Sequence, residues 1–365
     1  MVVRVYLKQA WNLMKQNPLF STLYIVGTGI SIVMTMVIAI VYYVRLAPVY
    51  PETNRMRTLV VKSAKMTNDE STHSANISYA MLKDWFYSLE SAEVSTGVSG
   101  TSYARVTNDK EEIPTYARYT DENFFRVFPL VFLEGKPFTE ADRRSGIHNV
   151  VLTDSYAQQL FGTTKGVVGK NFLMDYTNVK VVGVVKSGSF LTPDSYAQVY
   201  LPYSCRDGYD DEGSHWALGG YRVYILMKES KSVTDVQDEV LELIRKFNVS
   251  DMGDGWKLDL VGQPELYWHS TFRLWSNVAV DWGRVIWMFV GIFMVLLFVP
   301  AFNLSGMISA RMERQLPDLG IRKAFGASRR RLLVQIIWEN LLLTGLGTLL
   351  GLVIAWIVLA LSGYE

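Results

Sequence analysis

Gln16-Asn-Pro-Leu-Phe-Ser-Thr-Leu-Tyr-Ile-Val-Gly-Thr-Gly-Ile-Ser-Ile-Val-Met-Thr-Met-Val-Ile-Ala-Ile-Val-Tyr-Tyr-Val44 is a run of 29 residues without a charge, bounded by Lys15 and Arg45. A helix needs about 20 apolar residues to cross a hydrocarbon core of roughly 30 Å, so the run reads as a membrane span. Its apolar part is longer than a cleaved leader's core of roughly 7–15 residues, and no Ala-x-Ala site follows. A retained anchor is the better reading. Two further runs are as long: 26 residues from Val285 to Ala310 and 25 from Asn340 to Tyr364. Three spans are therefore expected. Because three would leave Tyr364-Glu365 outside, a fourth is expected beyond Glu365.

Charge orients the spans. Residues 1–18 carry Arg4, Lys8 and Lys15 and no acid; Arg311 to Arg331 holds seven bases against Glu313 and Asp318. Both sides read as cytoplasmic by the positive-inside rule. Residues 46–284 hold 25 Lys+Arg and 31 Asp+Glu, a net −6, and read as extracytoplasmic. The chain's overall +1 over 365 residues is the cancellation of these parts. That balance, with 49% hydrophobic residues, excludes intrinsic disorder and a strongly basic nucleic-acid binder.

The intervening segment reads as α+β. Strands are expected at Thr58–Val61, Asn149–Leu152, Val179–Val185 and Tyr221–Leu226 from their β-branched runs, and helices at Ser78–Leu89, Asp121–Val127, Asp154–Phe161 and Val233–Phe247. Asp121 and Asp154 are expected as helix N-caps and Gly162 as a stop. Nothing in this segment frames a reaction. Gly162 to Asn171 has six residues between its glycines and Asn171 after Lys170, where a phosphate loop has four and a Ser or Thr. Asp207, Asp210, Asp211 and Glu212 lack EF-hand spacing and read as a solvated loop. The lone Cys205 allows no intrachain disulfide, and His73, His148, His215 and His269 show no ligand spacing. No glycine-framed serine nucleophile occurs. The chain is expected to bind no metal or cofactor and not to be an enzyme.

Within the basic connection, Pro317 is expected to break the helix descending from the second span. A short amphipathic helix of about residues 317–328 then begins near Asp318 and ends at Gly326, and Ser328 caps the third span. Lying along the cytoplasmic face, it would touch either anionic membrane lipid or a cytoplasmic partner. Glu339, inside the third run, is expected to face a partner group, because a lone carboxylate in lipid is costly. Gly347 and Gly351 form a Gly-x-x-x-Gly step, and Gly27 and Ser31 a small-x-x-x-small step, both suited to close helix packing.

Gly320-Ile-Arg-Lys-Ala-Phe-Gly-Ala-Ser328, Gln335, Glu339-Asn-Leu-Leu-Leu343 and Gly347-Thr-Leu-Leu-Gly351, with Asn303 in the second run, resemble the FtsX-like permease domain of the MacB type of ABC transporter. Asn17-Pro-Leu-Phe20 is similar to the opening of these permeases. Tyr119-Thr-Asp-Glu-Asn-Phe-Phe125, Leu133-Glu-Gly-Lys-Pro-Phe-Thr-Glu-Ala-Asp142, Val151-Leu-Thr-Asp154, Leu160-Phe-Gly162, Val168-Gly-Lys170 and Val182-Gly-Val-Val-Lys186 look like the MacB periplasmic core domain. The resemblance implies a helical bundle (residues 1–46 and 284–365) around a periplasmic core domain (residues 47–283), in the inner membrane with a cytoplasmic N-terminus. It also implies a dimer of permease subunits, homo- or heteromeric, driven by an ABC ATPase that holds ATP and magnesium, with a periplasmic adaptor or substrate-binding protein as a further partner. Asp318, Leu319, Gly320, Ile321, Arg322, Lys323, Ala324, Phe325, Gly326 and Ala327 would form the coupling helix against the ATPase. Pro317-Asp318 departs from the family's usual helical residue and glutamate. A lipoprotein-release or division-type regulator is the alternative within the superfamily, and a motor-free membrane sensor the alternative outside it.

Overall fold

The computed structural model describes Trp11, Lys15 and residues 18–100, 102–108, 111–210, 216–250, 255–324 and 329–361. It divides into two compact units, one of residues 1–43 and 282–365 and one of residues 44–281.

The first unit is built from three long helices, Pro18–Leu46, Trp282–Ala324 and Arg329–Leu361. Among the described residues, Ser21–Leu46 and Asn340–Val358 are long and apolar enough to cross a membrane, and Trp282–Leu296 is a shorter apolar stretch. The middle helix corrects one expectation. It runs unbroken for 43 residues, roughly 65 Å, straight through Pro317. A proline deletes one backbone bond and crowds the carbonyl four residues earlier. Here it is exposed, so water can satisfy that carbonyl, and Met, Glu, Arg, Gln and Leu precede it, all strong helix formers. Asp318 therefore lies inside a helix and starts none. The expected stop at Gly326 and cap at Ser328 fall outside the described residues.

The second unit is α+β. Among its described residues, one sheet of eight strands includes Thr58–Val61, Ala64–Thr67, Ala92–Ser99, Tyr221–Met227 and Glu265–Leu266. A second sheet of seven strands includes Ser102–Asn108, Glu111–Thr120, Asn149–Thr153, Thr177–Val185 and Val199–Pro202, with parallel and antiparallel pairs mixed. Thr58–Val61 is buried on both faces. Leu59 and Val61 join a core under the helices Tyr79–Asp84 and Val233–Val249, while Val60 joins Phe124, Phe128, Tyr200 and Tyr224 between the sheets. A third core lies under the helix Asp154–Phe161.

The four expected strands and the long helix form within a few residues of their sequence limits. Ser78–Leu89 resolves into a helix over Tyr79–Asp84 and a 3₁₀ turn over Phe86–Ser88, capped by the Ser78 hydroxyl. One cap is corrected. Thr153, not Asp154, caps the helix Asp154–Phe161, accepting from the Tyr156 amide. The helix near Asp121 shrinks to Phe124–Val127, and Asp121 still accepts from the Phe124 amide at 3.2 Å. Gly162 ends its helix in the left-handed conformation, φ 70°.

Two glycines of the sequence motifs have a packing reason. Gly135 and Gly183 stand opposite each other across antiparallel strands. A Cβ on Gly135, at φ +72°, would lie 2.1 Å from the Val182 carbonyl oxygen, and one on Gly183 would lie 2.7 Å from that of Lys136.

Candidate functional site

The first and third long helices approach each other closely. A Cβ on Gly347 would sit 2.8 Å from Thr28 Cβ and 2.9 Å from the Ile25 carbonyl oxygen; one on Gly351 would sit 2.8 Å from the Gly29 oxygen and 3.0 Å from Ile32 Cβ. The Tyr24 and Thr344 hydroxyls are 3.0 Å apart on the same seam. The expected Gly347–Gly351 step is thus a packing face. Its counterpart is corrected: Gly27 has nothing within 4 Å of its Cβ position, and Gly29 is the contact glycine. Ser31 donates to its own helix, at the Gly27 carbonyl, 3.0 Å. Sequence spacing alone could not choose between Gly27 and Gly29.

Register along this seam is informative. Tyr24 meets Thr344, Thr28 meets Gly347 and Ile32 meets Gly351, so residue numbers rise together and the two helices run parallel. Tyr42, near the end of the first helix, packs against Phe289, near the start of the second, with ring centroids 5.1 Å apart and the planes tilted by 53°.

Asn303, Asp318, Leu319, Gly320, Ile321, Arg322, Lys323 and Ala324 all lie on the 43-residue helix, with Ile321 and Ala324 exposed. Phe325, Gly326 and Ala327 lie outside the described residues. Glu339 shares the third helix with Gly347 and Gly351.

The second unit secures both chain segments that lead to the helices. On the way in, Arg55 is 3% exposed and donates to the carbonyls of Val44 (2.6 Å) and Ala47 (3.0 Å). It also pairs with the buried Glu52, which accepts from the Ser195 hydroxyl at 2.7 Å, and it stacks on Tyr267. On the way out, Arg273 pairs with Glu265 and donates to the carbonyls of Val278 (2.6 Å) and Val261 (2.9 Å). The strands behind these clamps are neighbours, with Leu59 opposite Leu266 and Val60 opposite Glu265. The sequence shows only scattered Arg and Glu here; nothing local marks them as buried partners.

A second fastening joins the two sheets. Asp121 is fully buried and accepts from Tyr87 and Thr96 hydroxyls, both at 2.6 Å, and from the Gly97 amide at 2.9 Å. Burial outweighs these donors and pushes its carboxyl up to about 6. Beside it, Arg143 makes a forked pair with Glu122 (2.8 and 3.0 Å) and donates to the Tyr203 hydroxyl. Asn123 reaches the Ser95 carbonyl, and Phe124 and Phe125 fill the intersheet core. The motif Tyr119–Phe125 is therefore the weld between sheets. Burial pushes the Cys205 thiol up to about 12, so it is no ready nucleophile. Among the described residues, no three of His, Cys, Asp and Glu gather as a metal-holding group.

Residues 20–243 match the family described as MacB-like periplasmic core domain. Residues 277–364 match that described as FtsX-like permease C-terminal. The pyoverdine export ATP-binding/permease protein PvdT of Pseudomonas entomophila (strain L48) is 25% identical over 237 residues, 63% of this chain and 34% of that protein. The macrolide export ATP-binding/permease protein MacB of Escherichia coli (strain K12) is 21% identical over 267 residues, 72% of this chain and 39% of that protein. This chain thus spans little more than a third of these relatives' length. A solved periplasmic region of MacB from Actinobacillus actinomycetemcomitans is similar at 17% identity and a TM-score of 0.39, covering 54% of this chain and 88% of that one.

Proposed function

This chain belongs to the MacB-like, FtsX-like permease family of ABC transporters, and from that premise we propose that it is the membrane subunit through which a partner ATPase moves an extracytoplasmic domain. ATP and magnesium belong to that partner; this chain supplies the spans, the contact surface and the moving part. A second permease subunit completes the assembly, and a periplasmic adaptor or binding protein takes up the motion for export.

The observation that carries the reading is the pair of buried clamps. A domain that must follow its membrane helices needs stiff attachments, and Arg55–Glu52 and Arg273–Glu265 hold backbone on both the incoming and the outgoing segment. A parallel first and third helix fits three crossings from an N-terminus in the cytoplasm, with the acidic unit outside. The coupling surface then lies on Asp318 to Ala324, in line with the second helix, and continues to Ala327 in sequence. A continuous rod passes axial displacement with less loss than a hinged helix.

The test is ATPase stimulation in reconstituted membranes. Arg322→Glu/Lys323→Glu should insert normally yet lower stimulation of the co-purified ATPase at least fivefold. Stimulation equal to the parent chain would overturn the coupling assignment.

A further inference from the structure

The second unit contains a cavity of about 370 Å³ whose wall is dominated by cations. Arg45, Arg55, Lys62, Arg222 and Arg273 line it against a single carboxylate, Asp194. Arg55 and Arg273 are matched from behind by Glu52 and Glu265. The remaining three cations have Asp194 alone, which sits 3.6 Å from Lys62 and 3.1 Å from Arg222. Arg45 makes no ion pair among the described residues. The surplus registers in Asp194 itself: although buried, its carboxyl is pulled down to about 2 by Lys62, Arg222 and Arg118.

Unmatched cations around a partly enclosed space repel one another, and that repulsion is relieved when an anion with several acceptor oxygens enters. Arginine's planar fork suits a phosphate, and Lys62 adds a point charge. We propose that this cavity is a binding site for a phosphate-bearing anion. Arg45 adds a location: it is the first charge after the 29-residue uncharged run, so the site opens where lipid headgroups begin. That placement rests on the span reading above, whereas the anion site does not.

The experiment is calorimetric titration of the full chain in neutral detergent with three probes: inorganic phosphate, dihexanoyl phosphatidylglycerol and dihexanoyl phosphatidylcholine. The parent chain should bind at least one of the two anionic probes, and the zwitterionic lipid at least tenfold more weakly. Arg45→Gln/Lys62→Gln, with an unchanged melting temperature, should lose affinity about tenfold or more, since charge-assisted bonds are lost. Arg245→Gln/Lys246→Gln removes the same charge from an exposed helix face and should bind as the parent does. Binding of the phosphatidylglycerol alone identifies a lipid headgroup, and of phosphate alone a soluble ligand. No binding of either anion, or equal losses in both double variants, would overturn the site. ATPase stimulation is a separate measurement, so the fate of the coupling reading does not decide this one.

Discussion

Replacing Gly347 by alanine sets two opposite effects against each other. Alanine gains about 1 kcal/mol over glycine inside a helix. Its Cβ, however, would lie 2.8 Å from Thr28 Cβ and 2.9 Å from the Ile25 carbonyl oxygen. Carbon atoms pack best at about 3.5–4.0 Å, so the helices must part by roughly 1 Å along the seam. Overpacking of this kind costs about 1–3 kcal/mol. The separation also stretches the 3.0 Å contact between the Tyr24 and Thr344 hydroxyls. Gly347→Ala should therefore be neutral to destabilising by about 2 kcal/mol, the clash less the propensity gain. Gly345→Ala is the control, because nothing lies within 4 Å of its Cβ position, and it should be stabilised by about 1 kcal/mol. Unfolding from mixed micelles, followed by tryptophan fluorescence, reads both. If Gly347→Ala is stabilised as much as Gly345→Ala, the first and third helices do not pack as described. Gly347→Leu should exceed both in cost and should also lower ATPase stimulation.

Three further outcomes are expected. Arg55→Met strands a carboxylate that is 1% exposed at Glu52 and should cost about 3–5 kcal/mol, with partial recovery in Glu52→Gln/Arg55→Met; no recovery would show that packing, not charge, holds the clamp. Asp121 holds its proton more tightly folded (about 6) than unfolded (3.8), so its contribution is full below pH 3.8 and is lost as pH rises through about 6. Between those limits the parent chain should lose roughly 3 kcal/mol relative to Asp121→Asn, and parallel pH profiles of melting temperature would contradict this. Asp194 does not confuse the comparison, because its contribution is lost only as pH falls from 3.8 toward about 2. Gly135→Ala, with positive φ and a Cβ 2.1 Å from a backbone oxygen, should cost about 3 kcal/mol or more; a melting temperature within about 1 °C of the parent would refute the close approach.

Local pattern made much of this molecule legible. The two helices long and apolar enough to cross a membrane show because a hydrocarbon core demands an uninterrupted apolar length, and Thr58–Val61 and Val233–Val249 show because periodicity is a property of neighbouring residues. The family motifs were legible as letters, but their work was not. Asp121 reads as a cap and, besides accepting from the Phe124 amide, is a buried hub between the sheets; Asp154 reads as a cap and yields that place to Thr153. Pro317 reads as a break, yet its exposed position in a run of helix formers lets the helix continue. Gly27 reads as a contact and Gly29 is one.

Sequence by itself determined the long uncharged runs, the segregation of charge between them, the α+β class of the acidic segment and the family. Tertiary structure alone decided which glycine faces which helix, which Arg and Glu are buried together, and that Lys62 and Arg222 share one carboxylate in a cavity that Arg45 also lines. The physical reason is range. Hydrophobic length and periodicity act between residues a few positions apart, whereas desolvation and Coulomb energy depend on distances in space that no spacing in the chain records.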